Sequence, residues 1–146
     1  MVQGMDQTQV ELVQSTVDRF NPQRFYALLF ERHPELRDLF PQAAELMASQ
    51  HARLAASVAG VVSRLGVEDA QRVLSLGLQA LGRRHGAFYA VQPEHYPMVG
   101  AALLDSFDPG LEEPARAAWR ELFEFVAAEM LKGAAEGLPP GAETLL

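Results

Sequence analysis

Apolar residues recur at three- and four-residue intervals along almost the whole chain, and nowhere do β-branched residues alternate between hairpin turns. That period belongs to the helix, so the chain is expected to be all-α. Its punctuation agrees. Thr8 to Glu11 reads as a T-x-x-E capping box opening a helix that carries Val10, Val13 and Val17 on one face and ends near Phe20. Asn21-Pro22 supplies a cap with proline at the first helical position, launching a second helix through Phe25, Tyr26, Leu29 and Phe30. The stretch from Pro34 to Phe40 is one or two helical turns stopped by Pro41, which places Phe40 at a corner. A longer helix, from about Ala44 to Leu65, aligns Leu54, Val58, Val61 and Leu65 and ends at Gly66.

The second half follows the same grammar. Val67-Glu68-Asp69 begins a helix that is acidic at its start and basic at its end, where Arg83 and Arg84 suit the negative pole. Pro93 opens a helix with Tyr96, Val99 and Leu103 on one face and Phe107 a turn further, and Asp108-Pro109-Gly110 is a turn. The last helix starts near Pro114 and aligns Trp119, Leu122, Phe123, Val126 and Met130. Gly137-Leu138-Pro139-Pro140-Gly141 reads as a frayed tail. One domain over residues 1–146 is expected, with a core from about residue 8 to 132 and a tail over 133–146.

One stripe carries chemistry. Leu74, Leu78, Leu81 and His85 stand at i, i+4, i+7 and i+11, so three leucines are followed on the same face by an imidazole. A lone histidine there is either a core residue hydrogen-bonded to a carbonyl or a metal ligand, since neutral imidazole binds iron, copper and zinc. Phe40 has a comparable pair of readings, as a core aromatic or as a wall of an apolar site.

Composition excludes several classes. The 146 residues suffice for one sizeable core, and no apolar run approaches the roughly 20 residues that span a bilayer. No membrane insertion is expected. With no cysteine there can be no disulfide, thiolate metal site, iron–sulfur cluster or Cys-x-x-Cys-His haem attachment. The N-terminus lacks the layout of a secretory signal, which points to a cytoplasmic protein. A net charge of −7 repels phosphate backbones, so nucleic acid is not an expected partner.

Taken together, Phe25-Tyr26-Ala27-Leu28-Leu29-Phe30, Pro34-Glu35-Leu36 with Phe40, Leu81-Gly82-Arg83-Arg84-His85, Pro93-Glu94-His95-Tyr96-Pro97 and Val99-Gly100 resemble a bacterial globin. The likeness is closest to the globin domain of flavohaemoglobins and its single-domain relatives, with neuroglobin-like features at Leu81 to His85 and at Arg116-Ala117-Ala118-Trp119. It covers about Thr8 to Lys132. It implies a 3-over-3 helical sandwich around haem b, with His85 as the proximal iron ligand and Phe40 against the haem face. Leu81, Tyr96 and Val99 wall the haem, and Arg84 meets a propionate or lies solvated. Tyr26 points its hydroxyl at a gas ligand or rests on the helix flank, and Phe25 and Leu54 shape the distal cavity.

Gln50 and His51 compete for the distal position. Gln50, ten residues after Phe40 and four before Leu54, matches the flavohaemoglobin pattern; in the other register His51 becomes a sixth iron ligand. The interval from Gln50 to His85 is about three residues longer than that pattern, an excess Leu65-Gly66-Val67 absorbs as a loop. The family's acidic partner of the proximal tyrosine is also missing, because Ala134 stands at its place and Glu136 is off register. His33 and His95 read as solvated. The implied function is reversible binding of oxygen, nitric oxide and carbon monoxide by a monomer or homodimer. Oxidation of nitric oxide would need a separate reductase, because 146 residues leave no room for one. A gas or redox sensor, or a bis-histidyl globin using His51, is the alternative.

Overall fold

Asp6 begins the helical architecture. Its carboxylate accepts from Gln9 N at 2.8 Å while Gln9 Oε1 accepts from Asp6 N at 3.1 Å, a reciprocal box that starts α1 (Gln7–Thr16). The start expected at Thr8 is therefore two residues late: the anionic cap upstream satisfies the first free amides, and Thr8 lies inside the first turn. The structure, a computed structural model, describes residues 5–40, 43–67, 70–88 and 92–136, the side chains of 86–88 and 136 excepted. Among these residues the regular elements are helices and short 3-10 segments, so the fold is all-α as expected.

α1 stops at Thr16, earlier than the expected Phe20, and a 3-10 turn (Val17–Arg19) follows. Asn21 Oδ1 accepts from Arg24 N at 3.1 Å and Pro22 is the first residue of α2 (Pro22–Arg32), as the Asn-Pro pair predicts. Pro34–Leu39 is 3-10 rather than α-helical, and Phe40 is extended at φ −123°, ψ 158°, the conformation favoured before a proline. α3 (Ala44–Ser63) ends just before Gly66, whose φ of +78° only glycine adopts without strain.

α4 (Ala70–Phe88) runs beyond Arg83 and Arg84, so His85 is the basic residue of its last turn. The acidic start expected at Glu68 and Asp69 lies outside the described residues, as does the tail after Glu136. α5 (His95–Leu104) begins two residues later than Pro93 suggests, because Pro93 and Glu94 form a turn and Gln92 N donates to His95 Nδ1 at 2.9 Å. Phe107 falls beyond α5, where it bridges to Phe20. α6 (Glu113–Glu136) continues past Lys132, the expected end of the core.

Two apolar clusters hold these helices. The larger joins α1, α2, α5 and α6 through Val10, Val13, Phe25, Leu29, Leu103, Phe107 and Trp119. Trp119 is 2% exposed, and its indole N–H donates to Thr16 Oγ1 at 2.8 Å, so its polar atom is satisfied inside the core. The smaller cluster, Leu74, Leu78 and Met130, joins α4 to α6 with Leu81 and Tyr96 packed against it. There the two backbones touch: a methyl at Gly82 would overlap the Met130 carbonyl, and one at Gly133 the Gln79 carbonyl. Only glycine permits that approach.

Candidate functional site

On the α2 side, Tyr26 stands at the centre of an aromatic cluster. It is 3% exposed, and its ring lies edge-on to Phe25 at 4.9 Å and to Phe40 at 5.3 Å. Phe40 also meets Phe30 edge-on at 5.4 Å, so the extended residue at the corner is held by α2. Gln50 Nε2 donates to the Tyr26 hydroxyl at 3.2 Å, and Arg53 donates to Gln50 Oε1 at 3.0 Å. His51 behaves differently: its ring is stacked on Tyr26, 5.0 Å away at 22°. Burial pushes the Tyr26 phenol above its ordinary value, against smaller opposite effects of Gln50 and Arg53, so it stays protonated at neutral pH.

α4 carries His85 in its last turn. The Leu81 carbonyl, 2.9 Å from Nδ1, can only accept, so Nδ1 carries the proton and Nε2 the lone pair. Burial depresses the pKa below 6.5, the Leu81 bond opposes this more weakly, and the Arg84 charge adds to the depression. The ring is neutral at pH 7. This is the tautomer and charge state in which an imidazole can bind a metal through Nε2, with the ring oriented by a backbone acceptor at Nδ1.

Between α3 and α4 runs a groove of about 450 Å³, within the range of cofactor pockets. Leu74, Leu78, Leu81 and Val61 make it apolar, and Arg64 and Arg84 stand at its walls. Leu54 and Val58 are half-buried along the same face of α3. Tyr96 is half-buried against the α4–α6 cluster, and burial raises its phenol pKa; Val99 packs on the larger cluster. Phe25, Phe40, Gln50 and His51 therefore gather around Tyr26, while Leu81 and Arg84 line the groove and His85 is hydrogen-bonded to Leu81; His33 Nδ1 lies 3.7 Å from Glu35. No group of three or more potential metal-binding His, Asp or Glu residues occurs among the described residues.

Three features escaped the sequence reading. Arg53 is a charged residue next to a predicted site residue, and its spacing of i+3 from Gln50 was the available signal. Glu129 is buried, accepting from Gln79 at 2.8 Å and from Lys132 at 3.3 Å, and nothing in its sequence context sets it apart. Gly82 and Gly133 are small residues inside apolar helices, a pattern that could have flagged a close crossing.

The all-α frame thus carries a Tyr26–Gln50 pair between α2 and α3 and a neutral imidazole, His85, on α4. The Globin family profile matches residues 23–130, and the chain belongs to that family. An uncharacterized globin-like protein of Aquifex aeolicus is 31% identical over 110 residues, 74% of either chain. The flavohemoprotein of Bacillus subtilis is 26% identical over 133 residues, and that of Vibrio cholerae 24% over 133 residues; each match covers 84% of this chain. The chain spans about a third of the length of these flavohemoproteins, 32% and 33% respectively. No helix among the described residues is long and apolar enough to cross a membrane.

Proposed function

We propose that the protein is a haem-binding globin that reversibly binds oxygen and other diatomic gases, nitric oxide and carbon monoxide among them. The observation that carries this reading is His85, a half-buried neutral imidazole whose Nδ1–H is committed to Leu81, which leaves Nε2 with the electron pair an iron centre takes up. The residues present fit a non-covalently held haem b. Its iron would supply the open coordination position for the gas. The leucines of α4 and the half-buried stripe of α3 offer apolar faces, and Arg84 suits a propionate. Phe40, Tyr96 and Val99 add wall area.

Tyr26 and Gln50 then serve the gas. Tyr26 holds its proton at neutral pH and can donate it to a partly negative diatomic ligand, slowing escape by about tenfold to a hundredfold for a bond of roughly 1.5–3 kcal/mol. Phe25 and Leu54 keep water away from that bond. Gln50 is favoured over His51 as the distal residue because its amide engages the Tyr26 hydroxyl, whereas the His51 ring is stacked flat on Tyr26. Turnover of nitric oxide would draw electrons from a separate reductase. The protein would work in the cytoplasm, as a monomer or homodimer.

Titration with haem tests this directly. A one-to-one complex with an intense Soret band is expected, lost or strongly shifted in His85→Ala. The reduced, gas-free spectrum should be high-spin. A mixture that keeps the spectrum of free haem, or an unaltered spectrum in the variant, refutes the reading, and a low-spin reduced spectrum shifts the distal role to His51.

A further inference from the structure

We propose that Arg53 is a positioning residue that sets the direction of the hydrogen-bond chain ending at Tyr26, so that the phenol keeps its own proton for the gas ligand. The inference rests on the reading of Tyr26 and Gln50 as the distal pair and deepens it.

The argument is one of donor and acceptor inventory. A guanidinium donates and never accepts, so the Gln50 atom 3.0 Å from Arg53 must be the carbonyl oxygen. The amide is thereby turned with its NH2 toward Tyr26, and that NH2 donates to the phenol oxygen at 3.2 Å. Tyr26 has a single proton, and in this direction none of it is consumed by Gln50. Without Arg53 the Gln50 amide has two orientations open to it. In the flipped one Oε1 accepts from Tyr26, and the proton that should meet the gas is spent inside the protein. The charge on Arg53 acts in the same sense, since it and the Gln50 donor both draw the phenol pKa downward against the larger effect of burial. A donated bond at the oxygen also polarises the phenol and strengthens its remaining O–H donor. Arg53 itself is exposed on α3, so its replacement leaves the core intact.

The test compares Arg53→Met, Arg53→Lys, Tyr26→Phe and the double variant Arg53→Met/Tyr26→Phe. In haem-loaded, reduced protein, Arg53→Met should speed oxygen dissociation about tenfold and move the bound carbon monoxide stretch to higher wavenumber, toward Tyr26→Phe. Arg53→Lys should restore most of both, and the double variant should match Tyr26→Phe alone. In haem-free protein labelled at the tyrosine Cζ, NMR titration should place Tyr26 ionisation higher in Arg53→Met than in the parent. If Tyr26→Phe changes dissociation and stretch but Arg53→Met moves neither, the positioning role is overturned and the distal pair stands. If Tyr26→Phe itself moves neither, the distal pair falls and the inference with it. An unmoved Tyr26 titration in Arg53→Met also overturns the inference.

Discussion

Replacing Gly82 and Gly77 by alanine, one at a time, measures how far the seat of α4 on α6 depends on a missing methyl. Both glycines lie in the interior of α4, and each replacement gains about 1 kcal/mol of helix propensity at most. They differ in what the new carbon meets. At Gly77 there is nothing within 4 Å, so the gain stands alone and stability should rise by about 0.5–1 kcal/mol. At Gly82 the methyl collides with the Met130 carbonyl, a backbone atom of a long helix that no side-chain rotation can clear. Overpacking costs about 1–3 kcal/mol, and a rigid obstacle puts this case at the top of that range. Less the propensity gain, the net loss is about 2 kcal/mol. At about 2–4 °C per kcal/mol for a domain of this size, Gly82→Ala should lower the melting temperature by about 4–8 °C, and Gly77→Ala should raise it by about 1–4 °C. Thermal unfolding followed by circular dichroism, with urea midpoints beside it, reads both. A Gly82→Ala protein melting at or above the parent would refute the backbone contact. Equal shifts in the two variants would show that propensity alone is at work.

Trp119→Phe removes the indole that donates to Thr16 Oγ1 at 2.8 Å and leaves a partial void, for a loss of about 1–2 kcal/mol read as a lower urea midpoint with unchanged slope. Asp105 is raised by burial, but hydrogen bonds and charge from Arg32 and Arg116 outweigh that and hold it below 3.8, so its contribution is present above that pH and is lost as pH falls through the lower folded value. Asp105→Asn should therefore melt below the parent at pH 7, and the gap should close under strong acid; a gap independent of pH contradicts the pairing. His51→Ala should leave the reduced, haem-loaded spectrum high-spin and change oxygen dissociation far less than Tyr26→Phe does, as measured by stopped flow.

Helix identity and order were legible because apolar periodicity and proline caps are local signals, as Asn21-Pro22 and Gly66 illustrate. Boundaries were less so. Two sequences competed to start α1, and Asp6-x-x-Gln9 wins over Thr8-x-x-Glu11 because the anionic cap comes first along the chain. α4 likewise runs on to Phe88, past the Arg83-Arg84 pair that reads as its basic end. At the candidate site, the resemblance to bacterial globins singles out Phe25, Tyr26, Phe40, Gln50 and His51, but the partition of Gln50 and His51 between the hydroxyl and the ring face of Tyr26 required three-dimensional neighbours. Arg53 was invisible for a related reason. A charge on an exposed helical face is ordinarily solvated, and only the geometry of the amide beside it gives the charge a task.

The loose hold on α3 has a consequence for how a flat guest would enter. Of its twenty residues only Val62 is fully buried, whereas α4 rests backbone to backbone on its neighbour. The cleft thus has a fixed floor and a roof of low local stability, the kind of segment that opens first in native-state fluctuations. Admission would be governed by breathing of the roof, while α4 keeps its seat on α6 throughout.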